Sequence, residues 1–190
     1  MVAARQGEGT QVKKSTQVAM GGICASLCLF LMFMTCMFPF TQFAFPALAG
    51  IVLIAVVFEN GRPTATLVYV AVSILSLIIV PVKEAAFLFV GFFGYYPIIK
   101  SKLEHIRPRL IEYLVKFLIF NASVITCYTI LIYVMGIDEV LEETGMFGQY
   151  SLLVLILLGN IMFIVYDFAI TNLSFVYVNW FRPKILRKIQ

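Results

Sequence analysis

Six apolar runs, near residues 18–37, 46–58, 64–80, 85–99, 113–135 and 150–179, occupy most of this 190-residue chain. A hydrocarbon core about 30 Å thick takes roughly 20 apolar residues per crossing helix, so six such runs leave no room for a soluble catalytic domain. The composition agrees, with 62% hydrophobic and 13% charged residues, where a typical soluble domain has about 45–50% and about 25%. The pattern predicts an all-α fold: a polytopic membrane protein, built as a six-transmembrane-helix bundle with both termini cytoplasmic. Residues 1–17 form a polar N-terminal tail, 18–181 the membrane domain and 182–190 a basic C-terminal tail. The first run continues for about 20 residues without a small-x-small cleavage site, which marks it as a retained span rather than a cleaved signal. The second run is too short to cross unaided.

Charge placement tests this layout independently, because basic residues accumulate on the cytoplasmic side of short loops. With the N-terminus inside, the cytoplasmic segments hold Arg5, Lys13 and Lys14, then Arg62, then Lys100, Lys102, Arg107, Arg109 and Lys116, and finally Arg182, Lys184, Arg187 and Lys188. Of the 14 basic residues, Lys83 alone is left outside. The outer loop over 137–149 carries Asp138, Glu139, Glu142 and Glu143. Membrane orientation accounts for the net charge of +4 without a nucleic-acid partner.

Two connectors stand out. In IIVPVKEAAFLF, Pro81 ends the third span, and Lys83 and Glu84 fall in a short outward turn. They form either a solvated hairpin pair or the mouth of an outward-facing pocket. In FPFTQFAFP, Pro39 and Pro46 bracket an aromatic segment containing Gln42 that cannot be regular helix throughout. Irregular backbone at membrane depth survives only where protein or a water-filled cavity satisfies it, so Phe38 to Pro46 is expected to fold into the protein.

A charge at mid-bilayer costs at least about 2.5–3.5 kcal/mol, so Asp167, inside the sixth run, needs a reason. Asn160, Asp167, Thr171 and Ser174 lie on one helical face, and Asn121 and Tyr128 are spaced alike in the fifth span. These groups either converge on a polar ligand or bond across helices. In AMGGICASLC, the pairs Gly21/Ala25 and Gly22/Ser26 form overlapping small-xxx-small motifs, which permit close helix approach, either within the bundle or to another protein.

Cys24, Cys28, Cys36 and Cys127 sit in apolar runs without zinc-site spacing, and read as packing residues. His105, the only histidine, lies in a basic loop. The sequence has no phosphate-binding glycine loop, no HExxH and no cluster of intramembrane carboxylates. The expectation is therefore a non-enzyme with neither metal nor cofactor.

In size, six spans, the small-xxx-small pairs of the first span, the proline-bracketed aromatic loop and the stretch FPALAGIVLIAVVFENGRPTATLVYVAVSIL, the chain resembles the substrate-binding S components of energy-coupling factor (ECF) transporters. The resemblance covers nearly the whole chain. It implies a subunit of the bacterial plasma membrane that captures a vitamin-like ligand from outside. Two cytoplasmic ATPases and a transmembrane coupling subunit would be its partners. Gly21, Gly22, Ala25 and Ser26 would dock on the coupling subunit. Ligand groups would come from Gln42, Lys83, Glu84, Asn121 and Asn160, with Asp167 lying deeper. Metal-binding members use N-terminal histidines, which are missing here, so the implied ligand is organic. The rival resemblance is to rod-shape-determining MreD-like scaffolds, which need partner faces and no ligand.

Overall fold

The computed structural model describes residues 14–38, 41–104, 108–135 and 151–181. The tails 1–13 and 182–190, Pro39, His105 and the acidic 137–149 loop lie outside the described residues. Every regular element among the described residues is helical: α1 (Lys14–Met34), α2 (Ala44–Ile79), α3 (Lys83–Leu88), a π-helical turn (Phe89–Phe93), α4 (Tyr96–Leu103), α5 (Arg109–Met135) and α6 (Ser151–Val176), which ends in a second π-helical turn (Tyr177–Phe181). Four helices among these residues are long and apolar enough to cross a membrane, over Ser15–Met34, Ala44–Ile79, Arg109–Leu131 and Ile156–Trp180. Their outer faces expose large apolar side chains such as Leu67, Ile78, Leu118 and Phe168. This is a membrane protein, solvated by lipid.

The second and third apolar runs form two helical stretches that meet at a kink within α2. At Gly61 (φ 80°, ψ 169°) the helix breaks. An L-residue rarely adopts that backbone, and glycine has no Cβ to oppose it. Pro63 follows at the start of the resumed helix, where its missing N–H costs nothing. At the far end Val80 is extended (φ −75°, ψ 122°), as a residue before proline must be, and α2 stops there. The aromatic connector is less enclosed than its composition predicts. Pro46 is buried in the first turn of α2, but Phe38 and Phe43 are exposed.

Successive segments run antiparallel. Asn60 Nδ2 donates to the Gln17 carbonyl (2.9 Å) and Cys28 Sγ to the Ala49 carbonyl (3.3 Å), which sets α1 along the first half of α2. Arg62 donates to Ser101 Oγ (2.7 Å) and Tyr69 to the Val90 carbonyl (2.7 Å), so the 83–103 segment runs back along the second half. Tyr95 and Ser123 hydroxyls are 2.6 Å apart, which aligns that segment with α5.

Lipid tails are as apolar as leucine, so burial alone does not drive these helices together; close packing and polar bonds do. The packing centre is aromatic. Phe92 stacks on Tyr96 (4.7 Å) and meets Phe120 edge-on (5.0 Å), Phe120 stacks on Phe163 (4.9 Å), and Phe93 meets Tyr166 edge-on (4.9 Å). Such ring pairs add about 0.5–1.5 kcal/mol each beyond area burial. Gly50 makes the approach of α2 possible, since a Cβ there would overlap the Phe93 carbonyl oxygen and the Tyr166 hydroxyl. Cys24, Cys28 and Cys127 are buried free thiols and Cys36 is an exposed one.

Candidate functional site

The polar groups expected to bind ligand occupy three levels of the bundle. The uppermost is the start of α3. Lys83 Nζ donates to the carbonyls of Leu77 (2.8 Å) and Val80 (3.1 Å), capping the C-terminal end of α2, where a cation complements the helix dipole. Glu84 accepts a hydrogen bond from the Tyr128 hydroxyl (2.7 Å) on α5. Lys83 and Glu84 therefore turn to different helices, and both are half-buried. Gln42, also half-buried, lies in the turn before α2.

The middle level is a reciprocal amide pair. Asn121 Nδ2 donates to Asn160 Oδ1 (2.9 Å) and Asn160 Nδ2 to Asn121 Oδ1 (3.2 Å). Each amide also returns a bond to its own helix, to Phe117 O and Ile156 O. The pair ties α5 to α6.

The lowest level surrounds Asp167. Tyr96 donates to Asp167 Oδ1 (2.6 Å), Lys100 pairs with the same oxygen and with the Asp167 carbonyl (2.7 Å), and Lys116 lies 3.4 Å from Oδ2. Lys116 also pairs with Glu112 (2.7 Å), and Glu104 lies 3.5 Å from Lys100 and 4.0 Å from Lys116. Two ammonium groups thus meet three carboxylates. Lys100 and Lys116 are buried, at 4% and 2% exposure. Ions at this depth are tolerable only with such dense pairing, because desolvating each costs several kcal/mol.

From Tyr128 to Asn121 to Lys116 the levels descend α5 by about 10 Å and then about 8 Å at 1.5 Å per residue. One small ligand cannot touch both Glu84 and Asp167. The polar stripe on α6 also divides: Asn160 and Asp167 face protein, whereas Thr171 is exposed and returns its hydroxyl to the Asp167 carbonyl (2.9 Å).

The sequence puts Lys100 and Lys116 among cytoplasmic loop charges, and nothing in it singles out Tyr96. The structure makes them the partners of Asp167. The available signal was the need of an intramembrane acid for a cation. On α1 the two small-residue pairs separate: Gly21 is buried, and a Cβ placed on it would lie 3.3 Å from Val68 Cγ2, and Ala25 packs against the core, while Gly22 and Ser26 face outward with nothing near a Cβ placed on Gly22. No match to this chain is found among protein-family models, curated proteins or solved structures.

Proposed function

We propose that this chain is the membrane-embedded substrate-binding subunit of an uptake system of the ECF S-component type. It would take a small organic, vitamin-like ligand from outside and work with a transmembrane coupling subunit and cytoplasmic ATPases. In this reading the chain crosses the bacterial plasma membrane six times, with α2 divided at Gly61 and residues 83–103 as the fourth crossing. Both termini are then cytoplasmic.

The observation that carries the reading is the unequal charge of the two ends. Among the described residues, Arg62, Lys100, Lys102, Arg109 and Lys116 gather at one end with Glu59, Glu104, Glu112 and Asp167, while the charges at the other are Lys83 and Glu84. A basic end belongs in the cytoplasm. The charges described at the outer end are then two half-buried ionic groups already oriented by the fold, as a binding site requires. The exposed rings of Tyr113 and Tyr133 on α5 are separated by about 30 Å of helix, the thickness of a hydrocarbon core, and suit its two interfaces. The open Gly22/Ser26 face offers close approach to a coupling subunit.

A second reading, a non-transporting scaffold of the MreD-like type, is favoured by the Asn121–Asn160 pair and the Asp167 cluster, whose groups already satisfy one another. Copurification from native membranes separates the two. Recovery of ATPases, a coupling subunit and a tightly held small molecule by mass spectrometry is the expected result. Recovery of cell-wall synthesis proteins with no small molecule would replace it with the scaffold.

A further inference from the structure

The segment between Lys83 and Leu103 is not a plain α-helix. At Phe89–Phe93 it makes a π-helical turn, and the Gly94 N–H donates to the Phe89 carbonyl, five residues back, at 2.8 Å. Such a turn accommodates one extra residue in the helix. Two tyrosine hydroxyls attend the disturbed carbonyls. Tyr69 donates to Val90 O (2.7 Å), and Tyr166 donates to Phe93 O (3.1 Å), which lies four residues before Pro97 and receives no N–H from it.

The extra residue changes where everything after it points. In an uninterrupted α-helix, at roughly 100° per residue, Tyr96 would point roughly 120° and Lys100 roughly 160° away from Glu84. Phe89, roughly 140° from Glu84 on the same count, contacts Tyr69 of α2. Tyr96 and Lys100 would then have faced α2. Absorbing one residue removes roughly 100°, leaving Tyr96 and Lys100 within roughly 20° and 60° of Glu84, toward α5 and α6. The contacts agree: a Cβ on Gly94 would meet the same Tyr69 ring that Phe89 contacts (2.6 Å), as stacking at five-residue spacing requires, while Tyr96 and Lys100 reach Asp167.

We infer that the π-turn at Phe89–Phe93 is the positioning element of the Asp167 cluster: its additional residue rotates Tyr96 and Lys100 onto the intramembrane carboxylate and keeps them on the side of the helix that bears Glu84. The inference holds whether the bundle binds a ligand or only partners. The test is deletion of Val90, alone and with one alanine inserted between Gly94 and Tyr95 to restore the phase. It is read as the yield of monodisperse protein in detergent and as the thermal midpoint with and without Asp167→Asn.

Deletion should lower the yield at least fivefold, and the inserted alanine should restore most of it. Asp167→Asn, which lowers the midpoint of the parent, should cost less than half as much in the deletion background, where the cation has already turned away. An undiminished cost there, or a compensated variant no better than the deletion alone, overturns the inference. If the deletion yields no folded protein, it is repeated in the Lys100→Met/Asp167→Asn background, where the pair is already gone. Recovery of folded protein there supports the inference, and equal failure in both backgrounds overturns it.

Discussion

The hydroxyl of Tyr96 donates to the carboxylate of Asp167 across 2.6 Å, joining residues 71 positions apart at the basic end of an apolar bundle. With Lys100 and Lys116 it turns an acid that membrane insertion disfavours into the tie between α4, α5 and α6. Lys100→Met is expected to lower the stability of the purified protein by about 3 kcal/mol, near the low end for breaking a buried pair because Lys116 remains. The double variant Lys100→Met/Asp167→Asn should cost less than the sum of the single changes. Denaturation of the four proteins in one detergent checks this, and additive losses would show that the pair is not coupled.

At the other end, the proposed uptake function implies that Lys83→Ala and Glu84→Gln weaken binding of any small molecule that copurifies, while leaving the bundle assembled. Lys83 caps α2, so its removal should also lower the stability slightly, by the roughly 0.3–1 kcal/mol of a helix-end charge. Equilibrium binding and denaturation measure the two effects separately, and size exclusion checks that the bundle stays assembled. Unchanged affinity in both variants would remove these residues from the ligand site.

The amide pair is a smaller structural element. Asn121→Ala or Asn160→Ala should each cost about 0.6 kcal/mol and no more than about 1.7 kcal/mol, the range for interhelical polar bonds in membranes. Replacing both with leucine should be nearly neutral, since no unsatisfied partner is left. A loss of ligand from Asn160→Ala without loss of stability would instead give this level a direct part in binding.

On α1, neighbouring glycines should respond oppositely. Gly21→Leu crowds Val68 and should lower stability. Gly22→Leu meets open space, so the fold should survive while any helix docked on that face is displaced. Midpoints and copurification yields of the two variants compare these effects, and retention of every partner by Gly22→Leu would rule out that face as a docking surface.

Gly61→Ala places a Cβ on a backbone at φ 80° and should cost about 1–3 kcal/mol without preventing membrane insertion. Denaturation of the purified variant measures the cost. An unchanged stability would mean that the break in α2 can relax to another conformation.

The apolar runs, their approximate bounds, the stop at Pro81 and the collection of basic residues at one end follow from local chemistry: a bilayer imposes length and apolarity segment by segment, and proline and charge act where they stand. That Asn160 and Asp167 share one face of α6 is equally a matter of helical period. The tertiary structure alone decided that Lys100 and Lys116, neighbours in sequence of Lys102 and Arg109, leave the basic surface to join Asp167. Pairing across 51 or 67 positions leaves no local trace. A helix that absorbs an extra residue at Phe89–Phe93 also shifts the count by which sequence assigns faces, so the directions of Tyr96 and Lys100 emerge only when the neighbouring helices are in place.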